Sequence, residues 1–197
     1  MPDVSIVRRL WRRSVPRPVR IALRDALAGA APPAGATGRR GPNERGGIAR
    51  LHVGCGPQNL MPGWWNVDIR SFEGIDEVAD VTATWPWKRI DYCYGEHFLE
   101  HLTLEQAVAF LGHARDRLRP GGRIRLSTPS LEWVWRTHFR LDGTTAEMVA
   151  DTYKANRAFH GWGHQFLYSR PFLERVLTAS GLTDIRFYAF GESDDAN

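Results

Sequence analysis

The sequence predicts an α/β fold built on a doubly wound, mostly parallel sheet, and three observations predict it. From Ile48 onward, short apolar runs of strand length alternate with segments of helical spacing. Strand, helix, strand in that order implies parallel pairing. The first run, IARLHVGCG, ends in glycines, as a buried strand does where it turns sharply. The next, WWNVDI, carries Asp68 at its end, fourteen residues after Gly54.

Before that domain, residues 1–30 read as a basic amphipathic segment of two short helices. Val7, Leu10, Trp11 and Val15 make one apolar stripe; Val19, Leu23, Ala26 and Leu27 make the other, with Pro16 and Pro18 between them. Seven arginines against Asp3 and Asp25 give this segment a net +5, so the chain's formal +4 leaves −1 for the rest. The basicity is local, and no specific nucleic-acid partner is expected of the folded domain. The segment is expected to touch an anionic membrane peripherally, bind a protein partner, or pack on the domain. Arg24 and Asp25 interrupt the only apolar core a signal peptide would use. Residues 31–47 read as a flexible Gly/Pro/Ala-rich linker, and residues 48–197 as the folded domain.

Within the domain, VADVTA is expected to be a third strand, IDYCYGE a fourth, RIRLSTP a fifth and TDIRFYAF the last. Residues 103–117 show helical spacing at Leu104, Val108, Leu111 and Leu118, with Thr103 as N-cap and RPGG as terminator. SRPFLERVLTASG reads as a helix closed by Gly181. Cys55 and Cys93 sit in apolar runs and read as free thiols of a reducing compartment, so the expected location is the cytoplasm, with peripheral contact to the inner face of the membrane through the basic segment. No apolar run approaches the length of a membrane span.

Two motifs compete for the chemistry. EHFLEHL contains H-x-x-E-H (His97, Glu100, His101), the pattern with which inverzincin peptidases hold zinc on a helix. Against it stand Gly54 and Gly56, whose lack of side chains admits a ligand to the backbone, and Asp68, placed to accept the two hydroxyls of a ribose. LHVGCGP, NVDI, ADVTATWPW, IDYCYGEHFLEHL and ARDRLRPGGRIRLSTPS, with the late HQFLYSRPFLERVLTASGLTDI, together resemble class I S-adenosylmethionine-dependent methyltransferases of the type 11 kind, over residues 48–191. Those enzymes carry a similar segment after their fourth strand, so the resemblance makes the zinc pattern a decoy and no metal site is expected.

The resemblance implies a Rossmann-like class I methyltransferase fold that uses S-adenosyl-L-methionine. Gly54, Cys55 and Gly56 would approach the methionine portion, Asp68 would hold the ribose, and Ile69 would lie against the adenine. Asp80 would receive the adenine amino group, and Val81 would pack on the ring. Glu96 and His97 would lie near the sulfonium and the acceptor entrance. The chain departs from the pattern: His52 stands where an acidic residue is usual, Gln58 replaces a third glycine, the helix between strands one and two is short or missing, and no sequence remains for a final strand after GESDDAN. If the acceptor must lose a proton, His97, His101, His160 and His164 are the candidate bases. His97, His164 and Glu96 are the residues expected to be catalytic. Eight tryptophans, among them Trp133, Trp135 and Trp162 after strand five, either fill the core or offer flat faces to sugars and other amphipathic groups. Proteins similar to this one are met alongside polysaccharide and glycolipid biosynthesis, so the resemblance implies a hydroxyl of a sugar or lipid-linked glycan as acceptor. The alternatives are a non-catalytic methyltransferase-like binding module and, further off, a zinc metallopeptidase.

Overall fold

The structure, a computed structural model, describes residues 49–138, 142–189 and 191–195. The expectations for residues 1–30 and 31–47 lie outside the described residues. Five strands form one sheet: β1 (Arg50–Val53), β2 (Trp65–Asp68), β3 (Glu77–Val78), β4 (Ile90–Glu96) and β5 (Leu118–Ser127). Their order is β3-β2-β1-β4-β5, and every pairing is parallel. This is a Rossmann-like order, in which β1 is flanked by β2 and β4 and the chain reverses its direction of travel across the sheet beside β1.

One face of the sheet carries the apolar core. Leu51 and Val53 of β1, Val67 of β2 and Cys93 of β4 are all fully buried. Helix α1 (Leu104–Arg117) covers them, burying Leu104, Ala107, Val108, Phe110, Leu111 and Ala114 along one stripe. Thr103 caps α1 as expected, in a reciprocal box with Gln106. Helix α4 (Arg170–Ala179) joins the same core through Val176. Gly181 follows it at φ 86°, where the Leu182 N–H reaches back to the Leu177 carbonyl at 3.2 Å. The opposite face carries His52, Asn66, Tyr92 and Tyr94, with Trp64 against Tyr92 and Tyr94. Between β5 and α4, helices α2 (Leu131–His138) and α3 (Thr145–His160) form an insertion that exposes Trp133 and Trp135. Among the described residues no helix is long and apolar enough to cross a membrane.

The structure corrects several expected elements. The third strand is only Glu77–Val78, ahead of most of VADVTA, because the Asp80 carboxylate turns the chain by accepting from the N–H and hydroxyl of Thr82. RPGG does not stand between helix and strand. It lies inside β5 as an irregularity, with Ile90 opposite Leu118 and Tyr92 opposite Arg123. TDIRFYAF makes no strand in its described residues 183–189: Asp184 is left-handed at φ 52°, and Arg186 is clamped to both Asp184 and Asp194. The β1–β2 connection, by contrast, has no helix, in keeping with the expectation that it is short or missing.

Candidate functional site

Ligands of doubly wound sheets bind beyond the carboxyl ends of the strands at the reversal point, here the ends of β1 and β4. At β1 the chain turns through Gly54 at φ 62° and Gly56 at φ 59°. A Cβ on Gly54 would fall 2.5 Å from a ring carbon of Phe98, so the turn and the residue after β4 meet at a distance only glycine permits. The Gly56 N–H donates to Asp68 Oδ2 at 3.0 Å, tying the turn to the end of β2. Asp68 is buried, and its Oδ1 accepts from both the backbone N–H and Nε of Arg70. Burial alone would raise its pKa, but the Arg70 bonds, the Gly56 N–H and the Arg70 charge together hold the carboxyl below its ordinary value.

This arrangement fits a ribose diol. Each carboxylate oxygen has two acceptor sites. Oδ2 has one in use, and Oδ1 recovers one when the Arg70 side chain, two-thirds exposed, withdraws. Ile69 beside it is 67% exposed, open to a flat ring. Cys55 is fully buried, and burial, then the Asp68 charge, pushes its thiol up to about 11, so it offers the site its backbone rather than a thiolate. Asp80 is exposed with Oδ1 committed to Thr82. The Val81 side chain belongs to the core, and its carbonyl accepts from Trp85 Nε1 at 2.6 Å. His52, in place of an acidic residue, is buried and bonds Asn66 Oδ1 through Nδ1 at 3.2 Å.

A second group forms past β4. Glu96 is exposed and accepts from the Tyr94 hydroxyl at 3.1 Å. His97 adopts the left-handed φ of 46°, held there by its N–H bond to the Ser127 carbonyl on β5. The chain then makes a 3₁₀ turn over Leu99–His101. The two histidines of H-x-x-E-H therefore do not share a helical face, which corrects the geometry an inverzincin site requires. His97 instead bonds Glu100 Oε1 through Nδ1 at 3.0 Å. A carboxylate accepts, so Nδ1 carries the proton and Nε2 is left as a base.

From 64 residues further on, the segment after the kinked turn Gly161–Gly163 returns to this place. Gln165 and Phe166 both donate to the Glu100 carbonyl, at 2.7 and 3.1 Å. That brings His164 to a ring distance of 5.1 Å from His101. His97, Glu100, His101, Pro129, Trp162 and His164 line a pocket of about 320 Å³. Of the residues singled out in the sequence, His97 and His164 thus share one pocket, while Glu96 and His160 do not line it. Gly54, Gly56 and Asp68 share the turn. Phe98 and Arg70 escaped sequence reasoning: Phe98 acts by packing between chain segments, and Arg70, though only two residues from Asp68, has the pattern of an ordinary exposed charge.

No protein-family model matches the sequence, and no curated protein matches it. Among solved structures it is similar to LepI in complex with SAM, at 11% identity and a TM-score of 0.40 over 81% of this chain and 41% of LepI. It is also similar to a pericyclic reaction enzyme, at 12% identity and TM-score 0.41 over 84% of this chain and 47% of the other. A third is the mitomycin 7-O-methyltransferase MmcR, at 14% identity and TM-score 0.43 over 82% and 48%. This chain spans less than half the length of each. Likeness at this level carries no argument about chemistry, which rests on the residues.

Proposed function

We propose that this protein is an S-adenosyl-L-methionine-dependent methyltransferase. One observation carries the reading: the Gly54–Gly56 turn at the reversal point is hydrogen-bonded to the buried Asp68 carboxylate at the end of the neighbouring strand. A glycine turn that admits a ligand to the backbone, joined to an acceptor pair for two vicinal hydroxyls, suits an adenosine-bearing cofactor. Asp68 would hold the ribose, Gly54, Cys55 and Gly56 the methionine portion, Ile69 the adenine, and the free oxygen of Asp80 its amino group, while the Val81 side chain stays with the core. Glu96 and His97 stand where β4 ends, on the acceptor side.

When bound, the cofactor supplies an electrophilic methyl on a sulfonium, whose departure needs little help. The chain's own part is alignment and exclusion of water. For a hydroxyl acceptor, His97 takes the proton at Nε2, with Glu100 orienting the ring through Nδ1. The exposed Trp162, which lines the same pocket as His97, offers a flat apolar face to a sugar or lipid-linked glycan.

Calorimetric titration of the full chain with S-adenosylhomocysteine tests the reading. Binding is expected, and Asp68→Ala is expected to weaken it about 10–150-fold, the value of one or two hydrogen bonds to a charged group. Folded wild-type protein that does not bind would leave the non-catalytic module as the better account. Unchanged affinity in Asp68→Ala would displace the ribose assignment.

A further inference from the structure

Glu100, His101 and His164 each present a ligand atom, and these atoms lie within 4.8 Å of one another. Glu100 is 0% exposed; His97 satisfies its Oε1, but Oε2 has no hydrogen-bond partner among the described residues. A bare carboxylate oxygen in a water-excluded place is costly, and a cation is what relieves it. His164 supplies an independent sign. Its Nδ1 donates to the Ala158 carbonyl at 2.7 Å, which fixes the tautomer and leaves the Nε2 lone pair available. A backbone carbonyl on the far ring nitrogen is the usual outer partner of a metal-bound histidine. The bonds from Gln165 and Phe166 to Glu100 fix the histidine segment against the turn that carries the other two groups.

We propose that Glu100, His101 and His164 bind a first-row divalent cation, with one coordination position open to the 320 Å³ pocket. One carboxylate and two imidazoles suit zinc or ferrous iron, and three protein ligands leave room for a water or substrate oxygen. Metal–ligand bonds of about 2.0–2.1 Å imply ligand atoms roughly 3.3 Å apart in a tetrahedron, so the cluster closes by side-chain rotation. This is not the peptidase motif read in the sequence: His97 holds Glu100 from outside, and His164, remote in the chain, takes the place it was given. Resting on the methyltransferase reading, the acceptor is then a molecule that offers the metal an oxygen, a hydroxyl made more acidic by coordination.

The test uses the full chain stripped with EDTA. Zinc titration by calorimetry is expected to show one equivalent bound, and the cobalt(II)-loaded protein to show visible ligand-field bands that shift on adding acetohydroxamate, a small oxygen chelator. His164→Ala and His101→Ala are expected to weaken zinc by at least the roughly 10–100-fold that loss of even an outer partner costs. Glu100→Gln should do the same if it folds, while the exposed His160→Ala should match wild type. No zinc uptake by folded protein overturns the site. So does binding that survives His164→Ala but is lost in His97→Ala, which would restore the H-x-x-E-H ligand set. Bands unmoved by the hydroxamate would overturn the open position. Each preparation is also titrated with S-adenosylhomocysteine: zinc binding without nucleoside binding would keep the metal site and remove the methyltransferase reading, and the reverse would do the opposite.

Discussion

Asp68 and Glu100 are both buried carboxylates at the strand ends, and their surroundings give them different work. Asp68 has three N–H groups on its carboxylate, and in the proposed function it exchanges one of these donors for a ribose hydroxyl. The donor it exchanges is the Arg70 side chain, which is mostly exposed and so holds on weakly. Arg70→Ala is therefore expected to leave S-adenosylhomocysteine binding unchanged or tighter by up to about fivefold, since exposed ion pairs contribute about 0.2–1 kcal/mol. Weakening by more than tenfold in the same titration would make Arg70 a ligand contact instead. Asp68 was legible in the sequence because a strand ending in an acidic residue after a glycine turn is a local pattern. The competitor on it was not.

At the scale of elements, the connections do more than join strands. Between β3 and β4 no helix covers the sheet, and Trp85 and Trp87 fill that place, 2% and 1% exposed, with Trp85 against Phe110 of α1. Trp65 and Trp87 both donate to the Glu77 carboxylate, which pins the short β3. Trp85→Ala should lose about 3–5 kcal/mol, as large-to-small core changes do. Thr103→Ala, which removes only the cap of α1, should cost about 1 kcal/mol. Denaturant midpoints compare the two; a Trp85 variant no less stable than the Thr103 variant would show that the tryptophan is not a structural substitute for a helix. The α1 cap and stripe were legible because they repeat within one turn. Among the described residues the two edge strands carry features that disfavour further pairing: β3 is two residues long, and β5 carries Pro120 with Arg119, Arg123 and Arg125.

For the whole molecule, burial of a histidine in the sheet couples stability to pH. His52 has its pKa lowered from 6.5 chiefly by burial, with the Asn66 bond and the Glu96 charge opposing. Below its ordinary value the unfolded chain takes up a proton that the native state refuses, so the His52 contribution is present above about pH 6.5 and is lost as pH falls through the lower folded pKa. His113 acts in the same direction, lowered first by burial. His52→Leu is expected to narrow the loss of stability between pH 7 and pH 5 without abolishing it. Thermal midpoints at the two pH values decide, and an unchanged difference would remove His52 from the account.

The sequence by itself determined the parallel α/β sheet, the capped α1, the glycine turn and Asp68, because each is written in residues close together along the chain or in the period of one element. It misplaced β3, RPGG and TDIRFYAF, where an aspartate turn, a bulge and an arginine clamp decided the backbone against apolar spacing. Only the tertiary structure decided what EHFLEHL is. The left-handed His97 breaks the helical register the motif needs, and two backbone bonds across the fold give Glu100 and His101 a partner, His164, that no local spacing could supply.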